Sequence, residues 1–396
     1  MGTVFALLLI VVMAFLDTPE NFAVLTDAWL FWGYFISGIF IAGIAVFSSF
    51  YVNVPMIRQS ELTSPRLLEY FRQDGRFKGC QALWILIAVL FFFFSLFHPF
   101  PPAVMVGIWV GAIGVSIDLA FIYLARVRNY LDPFAFADYI LQTGEADAKS
   151  RNVERLGDQF DALTEMSLKS IRNVNFGFTD YLTGKMEKLF QRFLENRPRQ
   201  EENEEEEERF NFLLCFYLQR LDLLFTESLV QRLEPLMSRL VFAAGKSAIE
   251  LGKYEMSLVG VPLHFLYKFE QEAKEHELHE VALKSHLVVQ EVAKELLSVP
   301  NIKQAELENV YSLILDHLEE HAKEAFKEDK KTPVEVLTDP FHRIKKYFTE
   351  GSVKDHPDAE NIVAKIDLVL AEFQELERIL RTIPDIPGRE SEEESE

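Results

Sequence analysis

The chain has 396 residues, a formal net charge of −21 and two cysteines, Cys80 and Cys215. Residues 1–126 hold six basic side chains against seven acidic ones, so the remainder carries a net −20. So acidic a region lacks the clustered Lys and Arg that phosphate contacts need, which excludes nucleic acid as a partner, and two thiols on or near the cytoplasmic side read as free.

Taken in order, Gly2–Leu16 (GTVFALLLIVVMAFL) is apolar but lacks a basic n-region and a small-residue cleavage site. It therefore reads as a first transmembrane helix rather than a signal peptide. A loop with only acidic charges, Asp17–Asp27, follows. Ala28–Ile57 has no charge at all and is long enough for a helix of about 45 Å, beyond the roughly 30 Å of a hydrocarbon core. Ser60–Cys80 concentrates most of the basic residues of this half and so faces the cytoplasm. Within it Ser64 and Pro65 are the N-cap and N1 of a short amphipathic helix carrying Leu67, Leu68, Tyr70 and Phe71. Ala82–Phe97 is a third span, His98–Pro102 an external turn, and Ala103–Leu124 a fourth span, after which Arg126 and Arg128 return the chain to the cytoplasm. The expectation is a transmembrane domain over residues 1–126, with spans at about 2–16, 28–54, 82–97 and 103–124. Both termini lie inside and the lipid bilayer of the inner (plasma) membrane is the surrounding partner.

The SPRLL string at Ser64–Leu68, with Phe71 and Asp74 after it and a span on either side, resembles a bacterial family of predicted multi-pass membrane proteins of unknown function. The resemblance covers Phe47–Val127, and Leu163–Leu189 is more faintly similar to a later segment of that family. It implies an architecture only: a four-helix membrane half and a helical soluble half.

Residues 127–387 read as an all-α acidic domain. Asp132 and Pro133 open one helix; Asn152–Val174 forms another with Leu156, Phe160, Leu163 and Leu168 on an apolar face; Thr179 and Asp180 cap one that runs to Glu195. Arg197–Phe210 is an exposed linker or a solvated helix extension, because packed like charges repel. Further helices are expected over Asn211–Thr226, Glu227–Leu251, Glu255–Glu272, Glu275–Leu297, Ala305–Lys327, Val334–Phe348 and Ala359–Ile383, punctuated by Pro300, Pro333, Gly351 and Pro357. The tail, residues 388–396, is too polar to fold alone.

Several strings resemble chemistry. His317, Glu320 and His321 form H-x-x-E-H, in which two histidines at i and i+4 grip zinc and the glutamate is the base. With Leu313, Leu315 and Leu318 in the buried role, that pair is expected on a solvated edge. His276, His279 and Glu280 in HELHE, with His286 beyond, offer a second set of metal ligands on what reads as a solvated face. Gly245, Lys246 and Ser247 end like a P-loop, but Leu240 stands where its first glycine is required. No cofactor fingerprint and no enzyme motif emerges.

The remaining constellation is intramembrane. Asp118 breaks an otherwise apolar span, at a cost of about 2.5–3.5 kcal/mol at mid-helix. Gly107, Gly111 and Gly114 share its face. Gly38, Ala42, Ala45 and Ser49 repeat the same four-three-four spacing, so a parallel packing would set Gly38 against Gly107 and Ser49 level with Asp118. This pattern predicts a homo-oligomeric ion channel or transport-like assembly in which Asp118 lines an inner vestibule. The alternative is a non-conducting, membrane-anchored scaffold whose cytoplasmic helices bind a partner protein.

Overall fold

The computed structural model describes residues 27–59, 75–97, 100–196, 204–299, 302, 305–328 and 332–382. Their regular structure is entirely helical: thirteen α-helices, a 3-10 turn and no strand among the described residues. The expected span at 2–16, the Ser64–Leu68 string and the tail at 388–396 lie outside the described residues. The chain divides into two compact units, Met1–Ile140 and Leu141–Glu396.

In the first unit α1 (Asp27–Gln59), α2 (Gly75–Leu96) and α3 (Pro102–Leu131) each hold a segment long and apolar enough to cross a membrane, at Leu30–Ser48, Gly75–Leu96 and Val104–Arg128. These coincide with the expected second, third and fourth spans, although the helices overrun them. Helix α3 continues past Leu124 because nothing there breaks a helix. It ends where Pro133, which has no N–H to give, follows Asp132. The Asp132 Oδ1 then accepts the Phe134 N–H at 3.0 Å, so one residue closes α3 and opens α4 (Pro133–Ser150). Tyr34, Trp84, Phe91 and Met105 are buried between the three helices, while Phe40, Phe47, Ile85 and Phe121 point outward and are exposed. Helices apolar all round belong in a membrane or a large core, and an outer surface of this kind suits lipid.

The second unit contains α5 (Val153–Arg172), α6 (Phe176–Glu195), α7 (Glu204–Val230), α8 (Glu234–Gly252), α9 (Gly260–Glu275), α10 (His279–Leu296), α11 (Glu308–Glu328), α12 (Val334–Thr349) and α13 (Ala359–Thr382), with the 3-10 turn Met256–Val259 before α9. Every helix packs on the next but one, from α5 on α7 through to α11 on α13. Within the pairs α5/α6, α7/α8, α9/α10 and α11/α12 each also packs on its partner. The unit is thus a stack of helical hairpins, the arrangement of an α-solenoid.

The junctions explain why the helices stop where they do. Arg151, Val174, Arg232 and Glu277 have positive φ, between 52° and 59°, and each follows a helix end. At the α5/α6 turn the Val174 N–H bonds the Ile171 carbonyl at 2.8 Å and the Asn175 N–H bonds that of Ser170 at 2.9 Å; the turns at Arg151, Arg232 and Glu277 repeat this pattern. This is the Schellman closure, usually built on glycine, and none of the four is a glycine. The side chains of Asn152 and Asn175 then accept the N–H groups of Arg155 and Phe178, both at 3.2 Å, and start α5 and α6.

Some expected boundaries are corrected. Thr179 does not cap α6; it is buried inside the helix, where its hydroxyl donates to the Asn175 carbonyl at 3.1 Å. The break expected after Thr226 falls instead at Arg232, because no breaker interrupts the chain until Pro235, in the first turn of α8. Of the acidic run, Glu204–Phe210 is helical, and Glu205–Arg209 are exposed, the solvated extension. The P-loop-like Gly245 has a packing role: a Cβ there would stand 2.2 Å from Val288 Cγ1 of α10, and one at Gly252 2.3 Å from Leu296 Cδ2. Aromatic pairs tie neighbouring hairpins together, Tyr217 stacking on Phe190 at 4.4 Å and Phe225 on Phe269 at 4.2 Å, each worth about 0.5–1.5 kcal/mol beyond burial.

Candidate functional site

Within the first unit the glycine seam expected between α1 and α3 is not formed. Gly38 faces α2, where a Cβ would meet Phe91 Cβ at 3.3 Å and the Ala88 carbonyl at 3.5 Å; at Gly107 and Gly111 a Cβ would meet nothing within 4 Å. Trp109 of α3 lies against Gly33 of α1, where a Cβ would stand 3.9 Å from the indole ring. Apolar grooves of about 560 and 470 Å³ open between these two helices, both including Phe40, Ile44, Ala120 and Leu124. Ala45 and Gly114 are buried, while Ala42 and Asp118 are half-buried. The Ser49 side chain lies outside the described residues, and the serine that the packing buries is Ser48.

Polar groups of this unit bond to one another. The Tyr123 hydroxyl donates to the Ser48 carbonyl at 2.5 Å, the Tyr34 hydroxyl to the Met105 carbonyl, the Trp84 indole to the Ser116 carbonyl at 3.4 Å and the Trp109 indole to Ser37 Oγ at 2.9 Å. The hydroxyls of Ser48, Ser95 and Ser116 return to carbonyls of their own helices at 2.7–2.8 Å. Such closure is what hydrocarbon surroundings demand of every polar atom.

The second unit contains a buried polar centre where α9, α10 and α11 meet. Helix α9 contributes Glu270 and Lys274, α10 contributes His286 and Gln290, and α11 contributes His317 and His321. Glu270 is 1% exposed, and His286 and His317 are 8% exposed, so the expectation that the H-x-x-E-H pair lies on a solvated edge is corrected. Helix α11 packs on α9 and α10 and also on α12 and α13. It therefore buries two faces rather than one stripe, and Leu313, expected inside, is 50% exposed.

Lys274 Nζ lies 2.6 Å from Glu270 Oε1, His321 Nδ1 3.0 Å from the same oxygen, and His317 Nε2 2.7 Å from Glu270 Oε2. Lys274 also reaches Glu324. The His286 and His321 rings stack at 3.8 Å, and Gln290 Nε2 sits 2.8 Å from His286 Nε2. Burial pushes the Glu270 carboxyl up, but contact with His317, His321 and Lys274 outweighs it and holds the group well below the usual carboxylate range. Burial, together with the neighbouring His321, pushes His286 down to about 3, so that ring is neutral. Glu270, His286 and His321 bring one ligand atom each within 4.8 Å of one another, a donor set that suits a transition metal.

The other expected ligands take no part in this centre. HELHE is the turn between α9 and α10, with Glu277 in the left-handed region. His276, His279 and Glu280 are exposed there, and His276 Nδ1 lies 2.9 Å from the Glu272 carbonyl of its own helix. Glu270 belongs to no sequence motif; the signal that places it is its spacing, four residues after the buried Leu266 and three before the buried Ala273. The chain matches no family model, no curated protein and no solved structure.

Proposed function

We propose that the chain is an integral protein of the plasma (inner) membrane whose membrane unit is an anchor and whose acidic hairpin stack, in the cytoplasm, is a scaffold for a partner protein. The observation that carries this reading is the order of packing in the second unit, each helix on the next but one. Stacks of that kind offer extended surfaces to partners, and the net charge of the region favours a basic one. The membrane unit adds support, since the hydroxyls and indoles of Tyr34, Trp84, Trp109 and Tyr123 are engaged across its helices and its grooves are apolar. Both features suit a dry anchor.

A homo-oligomeric channel is the second reading, favoured by Asp118, a carboxylate in an otherwise apolar span. Proteoliposomes separate the two. The scaffold reading expects wild type to pass no more cations or protons than empty vesicles, and Asp118→Asn to alter nothing but stability. Flux from wild type that changes with Asp118→Asn refutes it.

A further inference from the structure

We propose that Glu270, His286, His317 and His321 form a site for one divalent transition-metal ion of the zinc class, inside the stack at the meeting of α9, α10 and α11. The inference does not depend on the scaffold reading. Three buried atoms of this cluster lack a hydrogen-bond partner: Glu270 Oε2, His286 Nδ1 and His317 Nε2. Buried polar atoms are nearly always paired, and here a carboxylate oxygen and an imidazole nitrogen approach to 2.7 Å without hydrogen-bond alignment. Polar atoms gathered in one place without a hydrogen-bond partner, on more than nine-tenths buried side chains, are ones that a shared cation would satisfy.

The donor chemistry fixes its class. Three imidazoles and one carboxylate make an N₃O set, which suits four-coordinate zinc and related borderline metals rather than calcium or magnesium, which take oxygen shells. The supporting contacts fit as well. Gln290 Nε2 donates to His286 Nε2 and so sets the ring proton on Nδ1; on loading, that proton moves to Nε2 and the Gln290 amide turns its oxygen to accept it, which frees Nδ1 for the ion and holds the ring through its second nitrogen, as metal-bound histidines usually are. Tyr267 packs edge-on against His317 and donates its hydroxyl to Glu320 at 2.8 Å.

A pocket of about 250 Å³ borders the cluster at His317 and carries His264, Asp316 and Glu320, so two carboxylates stand beside it. Without the ion, Lys274 supplies the positive charge beside Glu270. On loading it withdraws toward Glu324, its other partner. A metal ion lies in the plane of each imidazole it binds, so one ring of the His286–His321 stack turns about its side-chain bonds as the ion enters.

The test uses the full chain in detergent, stripped with a chelator and titrated with Co²⁺ and then Zn²⁺. The proposal expects one equivalent of Co²⁺ to give the intense visible absorption of a four-coordinate site and one equivalent of Zn²⁺ to abolish it. His321→Ala should lose the band, and Gln290→Ala should weaken binding about 10–100-fold. The double change His276→Ala with His279→Ala, at the exposed turn, should alter nothing. X-ray absorption of the wild-type cobalt complex should show imidazole scattering, a readout that needs no variant to fold. An absent one-equivalent band, an all-oxygen shell, or full binding by His321→Ala overturns the proposal.

Discussion

Replacing His286 with leucine should remove a specific part of the pH dependence of stability. In the folded chain this ring is buried against His321 and His317 of α11 and Glu270 and Lys274 of α9, and its pKa lies at about 3 against 6.5 for an ordinary histidine. A histidine with a depressed folded pKa takes up its proton on unfolding, so the unfolded state binds more protons between about pH 3 and pH 6.5, and stability rises with pH across that window. Between pH 7 and pH 5 the expected loss from this one group is about 2 kcal/mol, at about 1.36 kcal/mol per pKa unit. The leucine variant also loses the Gln290 contact, but that offset does not vary with pH. Hydrogen exchange of α10 amides in the full chain, with chelator present and corrected for the intrinsic pH dependence, reads the opening free energy of both proteins. Wild type should lose about 2 kcal/mol more than the variant from pH 7 to pH 5; parallel curves would refute the burial argument.

Three further outcomes follow from the packing. Gly245→Ala should destabilise the stack by about 0–2 kcal/mol, because overpacking against the stiff Val288 costs about 1–3 and the gain in helix propensity returns about 1; in a Val288→Ala background the same change should become neutral or stabilising in urea melts. Val174→Gly should stabilise by about 1 kcal/mol, since a β-branched residue leaves a left-handed position that glycine occupies freely, read as a higher urea midpoint at unchanged slope. Arg239→Leu should cost about 3 kcal/mol by stranding Glu187, which is 7% exposed and keeps only Lys246, at 3.6 Å, as a cationic partner; a change below 1 kcal/mol in the same melts would show that the pair is solvated.

The helices themselves were legible because their signals are local. Apolar length marks α1 to α3, and Pro133, Asn152 and Pro333 open three of the later helices within a residue. The turns were less so. A closure built on Arg151, Val174, Arg232 or Glu277 leaves no glycine for a reader to find, which is why HELHE looked like the body of a helix instead of a bend. The stack was not legible at all. Its hairpins begin at Val153, Glu204, Gly260 and Glu308, spaced unevenly and without a shared motif, and what defines them is contact between helices rather than any pattern within one.

The buried centre shows the same limit from the side of chemistry. His317 and His321 advertise themselves by spacing, yet their burial is hidden in the sequence, where the segment reads as a helix with a single apolar stripe. A helix held between α9 and α10 on one side and α12 and α13 on the other needs two buried faces. Val310, Tyr311, Ile314, Leu315 and Leu318 supply one of them, and the second is where the histidines stand. Glu270, in turn, sits in a string of glutamates and lysines that reads as surface. Its charge becomes tolerable only once Lys274, His317 and His321 surround it, and α11 must already be packed for that to happen. A carboxylate that would be costly inside α9 alone is thereby made a condition of assembly, so this buried polar centre lies at a junction of three helices that no single stretch of the sequence contains.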